Sequence, residues 1–156
     1  MKINLTKKQY RELLDLIYTG SMMINGIRNN DEQIKDYDEI EQYIYSFAKE
    51  FGFENLVEYD KKFEEYMPTR EFDDSAVSSY IEEYDEYIFW QELVARLSRR
   101  DAVLKANTGW IRNDESGEET REKFEKIMRI QFDIEEEYEK EFDRNGLDNV
   151  KVRFGK

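Results

Sequence analysis

The chain has 156 residues, a formal charge of −13, no cysteine and no histidine. The two absences exclude disulfides, thiolate metal sites and any mechanism built on a histidine base. An acid surplus of this size repels phosphate backbones, so nucleic acid is not an expected partner. The 15% aromatic content separates the chain from disordered acidic tails.

The length predicts a single acidic helical domain over residues 1–156, large enough to fold without a staple. No apolar run approaches the roughly 20 residues of a membrane span. Met1-Lys2-Ile3-Asn4-Leu5-Thr6 leads into charge rather than a signal-peptide apolar region. A cytoplasmic protein with no membrane contact is expected.

In chain order, Ile3 and Leu5 alternate with polar neighbours and predict a short strand. Thr6-Lys7-Lys8-Gln9 has the form of a capping box and starts a helix on Tyr10, Leu13, Leu14, Ile17, Tyr18 and Ile24. Gly20 weakens it, and it should fade near Asn29-Asn30. A second helix is predicted from Asp36 to Phe51 on Ile40, Tyr43, Ile44, Phe47 and Ala48, with Gly52 just past its end. Residues 54–67 predict one or two short helices, interrupted by Pro68. Asp73, Asp74 or Ser75 can cap a third helix on Val77, Tyr80, Ile81 and Tyr84.

The apolar stripe changes phase near Asp85. Either Asp85 caps a new helix or one bent helix runs from 75 to 105. Trp90, Leu93, Val94, Leu97 and Leu104 then recur at helical spacing, with Arg100-Asp101 in a slot that should be apolar. A last helix is predicted from Glu119 to Asp143 on Phe124, Ile127, Met128, Gln131, Ile134, Tyr138 and Phe142, closed by Gly146. Val150, Val152 and Phe154 alternate as a strand. The predicted fold is mainly α: an irregular bundle of five to seven helices, with a small two-stranded β ribbon pairing the N- and C-terminal segments.

Charge is unevenly distributed. Residues 31–95 hold 20 acids and 5 bases, whereas residues 96–113 hold 5 bases and 1 acid. Arg96, Arg99 and Arg100, with Asp101, form either an interhelical salt-bridge cluster or an anion site, since arginine forks match carboxylates and phosphates. The acidic-tyrosine runs supply Tyr59, Tyr66, Glu82, Glu83, Tyr84, Glu86 and Tyr87. They are either a solvated face over a core edge or a surface for a basic protein partner. Trp110 either latches a loop to the core or anchors an interface, for which a homodimer needs the fewest components.

Glu82, Glu83 and Glu86 are the candidates for a magnesium site. Glu82-Glu83-Tyr84-Asp85-Glu86 resembles the Glu-Glu-x-x-Glu segment of all-α nucleotide pyrophosphatases. In that family a Glu-x-x-Asp segment follows; here Glu71-Phe72-Asp73-Asp74 precedes. No motif calls for a cofactor. The reading adopted is a non-enzymatic intracellular interaction module, of inhibitor, immunity or DNA-mimic type, whose acidic tyrosine-rich surface docks a basic partner. The alternatives are a small magnesium-dependent phosphate-ester or nucleotide hydrolase and a structural homodimer.

Overall fold

A computed structural model of the chain describes residues 3–29, 31–107, 109–111 and 116–152. It is mainly helical, with five α-helices and one two-stranded antiparallel sheet among the described residues. No described helix is long and apolar enough to cross a membrane. The chain divides into two compact units, Met1–Tyr84 and Asp85–Lys156.

The first unit begins with α1 (Lys7–Asn25), which starts where the capping box predicts. The Thr6 amide donates to Gln9 Oε1 at 2.9 Å, and the Gln9 amide donates to the Thr6 hydroxyl at 3.2 Å. Its buried face carries Tyr10 and Leu14. The helix ends at buried Asn25, whose side chain holds the connection to α2 (Lys35–Tyr45). Asn25 Oδ1 accepts from the Ile34 amide at 3.0 Å, and Nδ2 donates to the Ile34 carbonyl at 3.4 Å.

The second helix stops earlier than its apolar pattern predicts. Residues 46–52 run through turns, ending at Gly52 with φ +72°, a left-handed conformation that favours glycine. Tertiary packing sets this end. Phe51 and Phe53 fold back onto Tyr10, with ring centroids 4.1 and 6.1 Å away. The Tyr10 hydroxyl donates to the Ile44 carbonyl at 2.6 Å. Burial, then the Glu50 charge, pushes the Tyr10 phenol up to about 12.

The short helices expected over 54–67 are instead a hairpin of β1 (Val57–Asp60) and β2 (Glu65–Pro68). The register pairs Val57 with Pro68, Glu58 with Met67, Tyr59 with Tyr66 and Asp60 with Glu65. Asp60 Oδ1 closes the turn by accepting from the Lys62 amide at 2.7 Å, and Glu64 takes φ +58°. This sheet is local, not the expected ribbon of the two termini. Residues 3–6 and 150–152 are not strands, and Phe154 lies outside the described residues. A four-residue loop closes at far lower entropic cost than a pairing across nearly the whole chain.

A short helix, α3 (Arg70–Asp73), follows, capped by the Thr69 side chain. Its Phe72 is fully buried against Tyr18, with ring centroids 5.0 Å apart. Then α4 (Ala76–Ala106) runs without a break through the expected cap at Asp85. The phase change marks where the first unit's core, reaching Val77 and Ile81, gives way to the second unit's. Residues 82–87 between them are all exposed.

In the second unit, α4 from Asp85 onward lies antiparallel to α5 (Glu118–Asn145). Trp90 packs on Phe142 with centroids 5.5 Å apart, and Lys126 donates to the Ala106 carbonyl at 2.9 Å. The buried face of α4 runs through Val94, Ser98, Ala102, Val103 and Ala106, whereas Leu104 is 71% exposed. Small residues carry this contact, so a stripe drawn through large side chains misses part of it. On α5, Ile127, Ile134 and Phe142 are buried; Phe124 and Met128 are exposed.

A remote carboxamide fastens the hairpin. Gln42 Oε1 accepts from the Tyr66 amide at 2.7 Å, and Nε2 donates to the Tyr66 carbonyl at 2.9 Å. Gln42→Ala should destabilise the first unit by roughly 1–3 kcal/mol, the worth of two backbone hydrogen bonds. It should also speed hydrogen exchange at the Tyr66 amide. Gln42→Glu should rescue only part of this, because it sets an oxygen against the Tyr66 carbonyl. Unchanged Tyr66 exchange in Gln42→Ala would show that the clamp carries no load.

Candidate functional site

Facing residues in an antiparallel pair alternate between bonded and non-bonded positions. Gln42 takes both backbone groups of Tyr66 on the side away from β1. Tyr59 and Tyr66 therefore form a non-bonded pair, and the Tyr59 N–H and C=O turn to the outer edge of β1. Non-bonded pairs bring side chains closest, and the two tyrosine rings meet edge-to-face at 5.0 Å.

Beside this edge lies a groove of about 610 Å³. Tyr45, Ala48, Val57, Tyr59 and Tyr66 give it an apolar and aromatic lining, and Glu50, Glu54 and Glu58 stand at it with Lys49. Tyr59 is 49% exposed, and all three glutamates are exposed. The site combines aromatic contact area, the outward N–H and C=O of Tyr59 and a surplus of negative charge. It suits a cationic extended segment.

The other predicted contact residues do not join this groove. Glu82, Glu83 and Tyr84 are exposed on α4 within the first unit; Glu86 and Tyr87 are exposed on α4 within the second. Glu86 accepts from the Trp90 indole N–H at 2.5 Å. Among the described residues no group of three or more acidic, histidine or cysteine side chains is placed to hold a metal ion.

The arginines separate into three unlike settings in the second unit. Arg96 pairs with Glu92 at 2.9 Å in solvent. Arg99 lies over the Trp110 ring, 5.7 Å from its centroid. Arg100 donates to Asp101 Oδ1 at 2.6 Å, while Oδ2 accepts from the Tyr138 hydroxyl at 2.5 Å. The polar slot is thus a lock between α4 and α5, but Tyr138 and Asp101 make it. Arg100 joins at 3.4 Å from the tyrosine oxygen, and among the described residues no glutamate of another helix is its partner. The Arg100 hydrogen bond, then that of Tyr138, holds the Asp101 carboxyl below its usual range.

Trp110 is 56% exposed. It borders a groove of about 200 Å³ with Arg99, Val103, Ile111, Phe124 and Met128, and Phe132 continues the apolar stripe of α5 at 72% exposure. Glu50, Glu54 and Gln42 escaped the sequence reading. Nothing local marks them, because their role depends on where the hairpin lands.

The Arg100 side chain is 52% exposed, so Arg100→Ala should cost less than about 1 kcal/mol. Tyr138→Phe, which leaves the more buried Asp101 short of a donor, should cost about 1–2 kcal/mol. A depressed carboxyl stabilises above its ordinary range and loses that contribution as pH falls through its lowered value. The Tyr138→Phe deficit should therefore vanish in acid, and carboxyl NMR should show Asp101 titrating nearer its ordinary value. A larger loss from Arg100→Ala than from Tyr138→Phe would reverse this ranking. No protein-family model, curated protein or solved structure matches the chain.

Proposed function

We propose that this is a non-enzymatic interaction module that docks a basic protein segment in the Tyr59–Tyr66 groove. One observation carries the reading: Tyr59 with its outward backbone groups, half-buried Tyr66 and three glutamates lie around one concave surface. An added strand would bond to the outward backbone groups of Tyr59. Its lysines or arginines would meet Glu50, Glu54 and Glu58, while the tyrosine rings cover its stem carbons. The exposed Glu82, Glu83, Tyr84, Glu86 and Tyr87 add to the field that speeds encounter with a cation. An intracellular site of action, and a role in inhibition, immunity or DNA mimicry, belong to this reading.

A fluorescent lysine-rich peptide of alternating polar and apolar residues tests it. Binding should weaken about tenfold or more between low and high salt, as screening removes the charge attraction. Tyr59→Ser and the pair Glu54→Gln, Glu58→Gln should each weaken it about tenfold. Glu122→Gln, an exposed change in the second unit, should leave it unaltered. Equal losses from all variants would make the groove irrelevant and reduce the binding to net charge.

A homodimer through the second unit is the second reading, favoured by exposed Trp110 beside the Phe124, Met128 and Phe132 stripe. Sizing across a wide concentration range should then show a dimer that Phe132→Ser disperses. A monomer at every concentration ends this reading. The magnesium hydrolase has no comparable support, since Glu82, Glu83 and Glu86 do not converge with other ligands among the described residues.

A further inference from the structure

A second cavity of the first unit, about 270 Å³, opens between α1 and α2 beside Tyr18, Ser21, Met22, Glu41 and Pro68. Its floor has an uncompensated charge. Glu41 is half-buried, and among the described residues it has no ion-pair partner. Burial lifts its carboxyl above the usual range, Asp38 adds to the lift, and the Ser21 and Tyr45 hydroxyls offset part of it. The charged groups facing this corner are therefore acidic: Asp38 on α2, and Asp73, which accepts from the Tyr18 hydroxyl at 3.1 Å.

The Tyr45 hydroxyl bears on the same carboxylate. Tyr45 is 1% exposed, and Glu41 is the group that its hydroxyl meets, without a hydrogen bond of normal geometry. A half-buried carboxylate without a cation is costly. The two groups lie on α2 one turn apart, and the Glu41 field acts on the Tyr45 phenol.

We propose that this cavity binds a primary ammonium carried on an alkyl stem, the head paired with Glu41 and the stem lying along Met22 and Pro68. Among the residues that line the cavity Glu41 is the one carboxylate, beside the Tyr18 and Ser21 hydroxyls, which suits a compact monovalent charge with several N–H donors. A hard dication needs six or more oxygens in its shell, commonly several of them anionic. The chemistry is that of a lysine side chain or of a free aliphatic amine. It does not depend on the Tyr59 groove having a partner.

Butylammonium chloride is the probe, read by NMR on the full chain, with tetramethylammonium as a cation lacking N–H donors. Butylammonium should give saturable shifts at the Ser21, Glu41 and Tyr45 amides. Affinity should fall about tenfold or more in Glu41→Gln, and likewise when pH drops below the ionisation of Glu41. Glu41→Gln removes the buried charge, so its melting temperature near neutral pH should exceed that of the wild type. Butylammonium should raise the wild-type melting temperature and not that of Glu41→Gln. A lysine-bearing peptide that outcompetes butylammonium places the natural ligand on a protein; the reverse places it on a free amine. Both outcomes uphold the site. Absent saturation, equal affinity in Glu41→Gln, or equal shifts with tetramethylammonium overturn it.

Discussion

A backbone group removed from water needs a partner, and in the first unit two carboxamides supply what regular structure does not. Asn25 serves both polar groups of Ile34, and Gln42 serves both polar groups of Tyr66. An amide side chain carries donor and acceptor together, so it can stand in for one residue of a neighbouring strand. A carboxylate or an ammonium cannot. Gln42 therefore does more than fasten β2. By occupying the far side of Tyr66, it decides which edge of the hairpin stays open and hence where a groove exists at all.

The carboxamides also explain how a chain so rich in acids keeps an ordered interior. The acids stay outside: among the described buried residues, the polar ones are Asn25 and Ser98. Tyrosine fills much of the remaining demand, because it offers a large apolar ring and one hydroxyl to satisfy. Tyr10 meets that demand at Ile44, and Tyr138 meets it at Asp101. Tyr45, whose hydroxyl meets Glu41 without a hydrogen bond of normal geometry, marks the corner where burial and satisfaction part company.

Local signals were legible where short-range chemistry alone decides. The Thr6–Gln9 capping box and the Gly146 cap of α5 were both readable, because each depends on residues within one turn. What escaped was decided by distant partners. The aromatic run 43–51 has helical spacing, yet its end unwinds so that Phe51 can stack on Tyr10. The hairpin has no glycine in its turn, and an Asp60 side chain does the turning instead. Tyr59 and Tyr66 were recognisable as contact candidates from composition. Their pairing, and the arrival of Glu50 and Glu54 beside them, required the register of the hairpin. The arginine triplet drew attention as one cluster because it is dense in sequence. On a helix, successive residues point about 100° apart, and the three found three separate environments.

The exposed turns of α4 at residues 82–87 have a consequence for motion. Six consecutive residues sweep well beyond one full revolution of a helix, so no side of this segment rests on a core. Glu82, Glu83, Asp85 and Glu86 crowd it with like charges at the spacings where they repel. Apart from the Glu86–Trp90 side-chain bond, its backbone hydrogen bonds rest on intrinsic propensity. The longest helix among the described residues thus has interior turns that no core packing supports. A cation settling on those acids would relieve their repulsion, so association and helix tightening would be coupled here through one electrostatic field.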